Sequence, residues 1–265
     1  MEIEKITGRI AQDLEYLKKF TATPGEGCTR LPFTKEARDA VNYLREVMEV
    51  HEDEAGNVIG ILRGTDPDAP CVMSGSHYDS VIHGGNYDGI GGVVCSIEMA
   101  RQIVESGMEH KRDLVVVGFN DEEGMRFGTG YFGSGAILGH RDETYTEQFK
   151  DASGISIAEA MKEYGLDPNA IETAQRKPEE IGAFLELHIE QGPILEKEDV
   201  KVGIVESIVG FRCFEVHVHG RSDHAGNTPM NMRADAFLAV ARAVTAATAK
   251  AEEIGENTVF TCGEV

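Results

Sequence analysis

The hydrophobic pattern of the first 190 residues alternates between helical and strand-like periods. Apolar residues at helical spacing predict helices over 3–20, from Thr34 onward, and over 89–106, 131–139 and 155–164. Alternating stretches and short apolar runs predict strands over 50–53, 57–63, 72–76, 114–119 and 184–189. The first two of these strands are close enough in the chain to form a hairpin. Helices alternating with strands indicate an α/β fold with a mixed, largely parallel sheet flanked by helices.

The pattern changes in the last quarter of the chain. Residues 214–218 alternate apolar with polar side chains, which is typical of a half-exposed strand. An alanine-rich helix is predicted over 234–252, and a further strand begins at 258–260. One strand, one helix and the start of another strand do not complete a domain. We therefore predict a main domain over 1–208 and part of a second, α+β domain over 209–265.

Charge and composition narrow the classes of partner. The chain has 265 residues, a net charge of −21 and 41% hydrophobic residues, which suits a globular protein that repels phosphate backbones. We therefore expect no nucleic-acid partner. With no polybasic run and no apolar stretch of roughly 20 residues, we expect no membrane partner either. The charged N-terminus lacks the apolar core of a signal peptide, so a cytoplasmic location is expected.

Four short segments combine metal-binding residue types with the ends of predicted strands. They are 75–79, 86–89, 120–124 and 186–192. In open α/β sheets, ligands gather outside the carboxyl ends of the strands, so we expect these segments to converge. Five scattered cysteines, with no Cys-x-x-Cys pair, argue against a thiolate site. Imidazole and carboxylate ligands suit Zn²⁺ or a similar divalent ion.

Clustered carboxylates are costly unless positive charge lies among them. Two divalent ions about 3.5–4 Å apart would supply that charge, and Asp88, in a glycine-flanked loop, is the candidate bridge between them. Each residue also has a simpler interpretation. His77 could be merely hydrogen-bonded, Asp88 a helix cap, and the pair Glu122 and Glu123 a solvated turn. Their joint occurrence at successive strand ends favours the metal site.

These segments make the chain resemble the aminoacylase/carboxypeptidase-G-type metallopeptidase superfamily. Within it, the chain looks like the branch of N-carbamoyl-L-amino-acid hydrolases, allantoate amidohydrolases and β-ureidopropionases. The matching stretches are Gly75–Ser80, Gly84–Gly89, Glu122–Phe127, Glu186–Gly192 and His224–Met230. The resemblance implies a di-metal exopeptidase-like catalytic domain and a lid domain that forms a homodimer. It also implies hydrolysis of a linear ureido bond in a small molecule.

The resemblance implies a role for each matching metal-site residue. His77 and His188 would bind one ion, Asp88 would bridge both ions, and Glu123 would bind the second. Peptidase relatives place an aspartate where His188 stands, which favours the amidohydrolase branch. Glu122 would be the general base. The two ions would be Zn²⁺ or Mn²⁺, although such a ligand set also accepts Co²⁺ or Ni²⁺.

Three further residues are implied to assist. Asp79 would orient His77, and Gln191 would contact the ureido group of the substrate. His224, in the lid, would reach the site of the partner subunit and stabilise the oxyanion. An aspartate, Asp223, precedes it where relatives often carry a small residue. The family's last metal-ligand histidine and the lid's substrate-binding asparagine and arginine are not in the sequence, so we expect a chain truncated at its C-terminus.

Alternatives remain within and outside this branch. The loop 126–134 resembles the carbamoyl-amino-acid enzymes more than the allantoate enzymes. An aminopeptidase or deacylase on the same scaffold is a second possibility, and an inactive binding or oligomerisation fragment is a third. Other motifs are weak: the glycines of 128–133 do not join a strand to a helix, and Ser76 lacks a nucleophile elbow. The pair His217 and His219 lies on the polar face of its predicted strand.

Overall fold

The computed structural model describes residues 2–255 and 258–265 and divides into two compact units. The first unit ends at Gly192 and the second begins at Pro193. This division lies earlier in the chain than the domain boundary expected at 208/209. The assignment of the second unit as a lid stays a prediction.

The first unit contains five strands and six α-helices among its described residues. The strands are β1 (Val50–Glu52), β2 (Val58–Leu62), β3 (Cys71–His77), β4 (Leu114–Phe119) and β5 (Ile181–Leu185). The helices are α1 (Glu2–Leu17), α2 (Lys35–Val47), α3 (Ile90–Ser106), α4 (Phe132–Ile137), α5 (Glu143–Gln148) and α6 (Ile157–Tyr164). Short 3₁₀ helices cover Pro168–Ala174 and Pro178–Glu180. The predicted helices and hairpin of this region are confirmed.

The strands form one sheet in the order β1-β2-β4-β3-β5. Strands β4, β3 and β5 are parallel, whereas β2 pairs antiparallel with both β1 and β4. The predicted mixed sheet is confirmed, and its parallel part consists of the strands that carry the candidate ligands. Four successive residues of β4, Val115–Gly118, are buried, as expected for a strand covered on both faces.

Helices α1, α2 and α3 share one hydrophobic cluster with the sheet. Its buried members include Leu17, Val41, Leu44, Val93 and Ile97. Helix α2 begins where the sequence predicted, because the Thr34 hydroxyl accepts the N–H of Ala37. These contacts fix α3 against β3 and so determine where the loop before α3 lies.

Strand β5 begins and ends earlier than predicted. The sequence indicated a strand over 184–189, but β5 spans Ile181–Leu185, so His188 lies beyond its end. The register explains the difference, because Ile181 pairs with Cys71 and Leu185 pairs with Ser74 of β3. Pairing with a neighbouring strand, rather than the apolar run, sets the limits of a strand.

The second unit contains α7 (Ile194–Lys197) and α8 (Ala236–Ile254), with a 3₁₀ turn at Met230–Met232. Helix α8 was predicted, and Asp235 caps it. The strands predicted over 214–218 and 258–260 are wrong for the described residues. No described strand pairs with either stretch, and Phe214 is 84% exposed. Within the part of the chain that the structure covers, no helix is long and apolar enough to cross a membrane.

Candidate metal centre

His77 ends strand β3 and is buried, and its ring presents one free nitrogen to the site. Its Nδ1 lies 3.0 Å from the backbone carbonyl oxygen of Asp79, which places the proton on Nδ1. Nε2 therefore keeps a lone pair. It lies 3.8 Å from Oδ1 of Asp88 and 4.0 Å from Oε2 of Glu122. These separations leave room for a cation between the three atoms.

Asp88 reaches His77 because the residue after it is a glycine. Gly89 adopts φ +64°, and a Cβ built on it would lie 2.3 Å from Cε1 of His77. Asp88 Oδ1 is buried and has no hydrogen-bond partner among the described residues. A buried carboxylate oxygen without a partner is costly, which fits a site that takes a cation.

His188 approaches the same carboxylate from the segment that follows β5. Its Nδ1–H donates to the carbonyl oxygen of Ile189 at 2.8 Å, so Nε2 carries a lone pair. This Nε2 lies 3.1 Å from Oδ1 of Asp88. Ser76 holds the segment against β3, because its hydroxyl donates to Glu186 at 2.6 Å. In the neutral imidazole, the lone pair of His188 Nε2 therefore faces Oδ1 of Asp88.

Glu122 and Glu123 lie in the loop after β4, where the carboxylate of Asp79 fixes their backbone. Asp79 is 1% exposed, and its two oxygens accept the N–H groups of Glu122 at 3.0 Å and Glu123 at 3.2 Å. The same carboxylate lies 3.7 Å from Nδ1 of His77, whose hydrogen bond goes to the Asp79 carbonyl instead. Asp79 therefore links the ends of β3 and β4.

Burial raises the pKa of several carboxyl groups in and beside this loop, including one, Asp121, that is not a predicted ligand. Burial raises the pKa of Asp79, Glu122 and Glu123, and the neighbouring His77 opposes that rise. Burial also raises the pKa of Asp121 well above its ordinary value, and the nearby Asp79 adds to the rise. Neither carboxylate oxygen of Asp121 has a hydrogen-bond partner among the described residues. Its position before the glutamate pair is the sequence signal that could have revealed Asp121.

The predicted ligands meet in two overlapping groups that share His77. One group is His77, Asp88 and His188, and the other is His77, Glu122 and Glu123. Within each group the candidate ligand atoms all lie within 4.8 Å of one another. Imidazole lone pairs and carboxylate oxygens are donors that fit divalent cations. The structure thus brings these five side chains into two groups that share His77, and their roles as metal ligands stay predictions.

Gln191 and His224 lie in different units of the protein. Gln191 Nε2 donates to Oδ2 of Asp88 at 2.8 Å, so it contacts a candidate ligand. His224 belongs to the second unit, where its Nδ1 accepts the backbone N–H groups of Gly226 at 3.2 Å and Asn227 at 3.0 Å. The substrate-binding roles of both residues stay predictions.

Two buried asparagines, which the sequence analysis did not single out, hold the loop after β4 that carries Glu122 and Glu123. Asn57 Oδ1 accepts the N–H of Asn120 at 3.0 Å, and Asn57 Nδ2 donates to Asp53 at 2.8 Å and to the carbonyl of Gly133 at 3.0 Å. Both asparagines are fully buried. Burial raises the pKa of Asp53 to about 6. The hairpin turn thus fixes the start of the loop that carries Glu122.

Histidines and carboxylates gathered beyond the carboxyl ends of parallel strands form an arrangement that can hold catalytic metal ions. The chain belongs to peptidase family M20/M25/M40, whose family model matches residues 70–264. The resemblance inferred from the sequence is therefore confirmed at the level of the family.

Several proteins similar in sequence to this chain are named as amidohydrolases. An N-carbamoyl-L-amino-acid amidohydrolase of Paenarthrobacter aurescens is 42% identical over 97% of this chain and 63% of its own length. An allantoate amidohydrolase of Bacillus subtilis (strain 168) is 36% identical over 100% of this chain and 66% of its own length. This chain thus spans less than two thirds of either relative.

The fold also matches solved structures. The crystal structure of an amidase of the hydantoinase/carbamoylase family from Burkholderia multivorans gives a TM-score of 0.74 at 31% identity. The match covers 94% of this chain and 61% of that one.

Proposed function

We propose that the whole protein is a metal-dependent amidohydrolase that cleaves the ureido C–N bond of an N-carbamoyl-L-amino acid. The observation that carries the proposal is the convergence of two histidines and three carboxylates beyond the ends of β3, β4 and β5. The substrate class is supported by two N-carbamoyl-L-amino-acid amidohydrolases that are 42% and 43% identical to this chain; a third is 37% identical, and two allantoate amidohydrolases are 36% and 37% identical. Hydrolysis of allantoate is the second candidate.

Two divalent ions, Zn²⁺ or Mn²⁺, with Co²⁺ or Ni²⁺ as substitutes, would suit the donor set. His77 and His188 would hold one ion, Glu123 the other, and Asp88 would bind both. The orphaned Oδ1 of Asp88 supports this assignment. Bound ions of this kind polarise the carbonyl oxygen and lower the pKa of water to near neutrality.

Glu122 is the proposed general base. Its carboxylate is partly exposed and lies beside His77, so it can exchange protons with water in the site. It removes a proton from the water that adds to the ureido carbonyl and delivers it to the nitrogen of the leaving amino acid as the C–N bond breaks. The carbamate that remains decomposes to ammonia and carbon dioxide. Burial raises the pKa of Glu122, which brings a carboxylate closer to the pKa of an effective base.

The remaining roles concern positioning and assembly. Asp79 orients Glu122 and Glu123 through their backbone N–H groups, and its carbonyl orients His77. Gln191 contacts the ureido group of the small-molecule substrate after release from Asp88. His224 stabilises the oxyanion in the partner subunit of a homodimer. We place the enzyme in the cytoplasm, with no nucleic-acid or membrane partner.

The test uses full-length protein reconstituted with Zn²⁺, Mn²⁺ or Co²⁺. Turnover is measured on N-carbamoyl-L-amino acids, allantoate, N-acyl amino acids and dipeptides. We expect highest kcat/KM on the carbamoyl substrates, and a loss of at least about 100-fold in kcat for Glu122→Gln with metal content retained. The exposed glutamate substitution Glu172→Gln serves as the control. Preferred turnover of dipeptides or N-acyl substrates would overturn the proposal.

A further inference from the structure

Arg30, in the loop between α1 and α2, is a buried cation behind the metal centre. It is 1% exposed. Its Nε donates to the carbonyl oxygen of Tyr78 at 2.6 Å, and its Nη1 donates to the carbonyl oxygens of Leu17 at 3.0 Å and Phe20 at 3.2 Å. The guanidinium therefore joins the end of α1 to the main chain just beyond β3. Tyr78 is the residue between His77 and Asp79.

These hydrogen bonds go to main-chain carbonyls rather than to a carboxylate. Burying a guanidinium in this way is unfavourable, and burial lowers the pKa of Arg30 while the charge of Asp79 raises it. An apolar side chain could fill the same space without that cost. What it could not do is donate hydrogen bonds to three carbonyl oxygens at once, which the rigid fork of the Arg30 guanidinium does.

The backbone of Arg30 adds a second connection to the same stretch. Its N–H donates to the hydroxyl of Ser80 at 2.9 Å, and its carbonyl accepts the N–H of Ser80 at 3.0 Å. On the other side, Tyr78 N–H donates to Phe119 at the end of β4 at 3.0 Å. The peptides before and after the one that joins Tyr78 to Asp79 are thus each held by a backbone hydrogen bond, and the Tyr78 carbonyl between them accepts from the Arg30 side chain.

The orientation of this peptide affects every candidate ligand that depends on Asp79. His77 Nδ1 donates to the Asp79 carbonyl, and the Asp79 carboxylate holds the backbone of Glu122 and Glu123. We propose that Arg30 is a positioning residue of the metal centre, which acts through the Tyr78 carbonyl on the placement of His77 and Asp79. The inference rests on the proposed function.

The experiment measures Co²⁺ binding to the 265-residue chain. Arg30→Met removes the donors, and Arg30→Lys keeps the charge but not the planar fork. Arg38→Met is the matched control, because Arg38 also donates to a main-chain carbonyl, that of Tyr164 at 2.9 Å, and contacts no candidate ligand. Calorimetry gives the dissociation constant, visible absorption reports the coordination of Co²⁺, and thermal unfolding of the metal-free proteins reports stability.

We expect Arg30→Met to weaken Co²⁺ binding at least tenfold and to change the absorption spectrum. Arg30→Lys should recover part of the affinity, and Arg38→Met should lower the unfolding temperature without changing the affinity. If Arg30→Met fails to fold, Arg30→Lys carries the test through its spectrum and affinity.

The outcomes separate this inference from the proposed function. Wild-type affinity and spectrum in folded Arg30 variants, or equal weakening in Arg38→Met, would overturn the inference alone. Wild-type protein that binds Co²⁺ no better than His77→Ala would overturn the metal centre and the inference together.

Discussion

Gly89 lies so close to His77 that a Cβ on it would come within 2.3 Å of Cε1 and 2.4 Å of Nδ1 of the imidazole ring. The contact is made possible by the absence of a side chain and by φ +64° at this glycine. Because Asp88 directly precedes Gly89, the close approach also sets how near its carboxylate comes to His77. A single glycine thereby places the proposed bridging ligand.

Replacing Gly89 with alanine should disrupt the metal centre directly. In Gly89→Ala, the ring of His77 or the loop must move, and the positive φ adds strain, so we expect a destabilisation of about 1–3 kcal/mol. We also expect Co²⁺ affinity to fall at least tenfold, measured by calorimetry.

Gly85→Ala is the control for that substitution. Gly85 lies in the same loop, its φ is not in the left-handed region, and a Cβ on it would meet nothing within 4 Å. Its stability and its metal affinity should match the wild type. Equal affinity in Gly89→Ala and Gly85→Ala would contradict the argument.

Asp79→Asn should loosen the loop that carries the glutamate pair. In the wild type, the two carboxylate oxygens of Asp79 accept hydrogen bonds from two backbone N–H groups. In the variant, the NH₂ group of the asparagine would replace one of these oxygens, so that two donors would face each other. We expect about 1–3 kcal/mol of destabilisation in urea unfolding, together with weaker metal binding.

Asp113→Asn is a control at the other end of β4. Asp113 precedes β4 at its opposite end and accepts the N–H of Gly64 at 2.8 Å. It should lose stability without losing metal affinity. If both variants bind metal as tightly as the wild type, the link from Asp79 to the ligands is wrong.

The candidate ligands could be predicted from the sequence because strand ends are encoded locally. His77 and Glu122 each follow an apolar run, and parallel strands bring their carboxyl ends to one edge of the sheet. Helices such as α2 and α3 were equally predictable from apolar spacing and caps. Local sequence patterns were therefore sufficient to identify the residues of the candidate site.

The residues that hold the backbone around the candidate ligands could not be predicted in this way. Arg30 lies in a loop without periodicity, and its partners Leu17 and Tyr78 are distant in the chain, so no local pattern marks it. The pairing of Asn57 with Asn120 is likewise a tertiary contact. The early end of β5 at Leu185 follows from its register with β3, which a single strand's sequence does not contain.

Metal binding should stabilise the first unit through its histidines. A ligand present at 100 times its dissociation constant stabilises a folded protein by about 2.7 kcal/mol. We expect saturating Zn²⁺ or Co²⁺ to raise the unfolding temperature of the wild type and excess chelator to reverse the rise. His188→Ala should abolish most of the effect, because it removes one of the lone pairs beside Asp88.

His217→Ala is the control for nonspecific imidazole binding. His217 has a side chain that is 71% exposed and lies beside Glu215 at 3.1 Å in the second unit. This variant should keep the full metal-dependent rise in unfolding temperature. A rise that survives in His188→Ala but disappears in His217→Ala would place the cation elsewhere.

Asp53 should give the stability of the protein a measurable pH dependence. Burial raises its pKa from 3.8 to about 6, so the folded protein holds this proton more tightly than the unfolded chain. The stabilisation is fully present below about pH 4 and is lost as the pH rises through about 6. The loss is on the order of 3 kcal/mol.

Urea unfolding of the wild type and Asp53→Asn between pH 4 and pH 7 isolates this contribution, since the other carboxylates titrate in both proteins. At pH 4 the variant should be less stable than the wild type. In the wild type, Asn57 Nδ2 donates to Asp53 at 2.8 Å, and in the variant it would face the amide that replaces this carboxyl group. The wild type's advantage should therefore shrink steadily from pH 4 to pH 7. A constant difference across that range would show that Asp53 keeps an ordinary pKa in the folded protein.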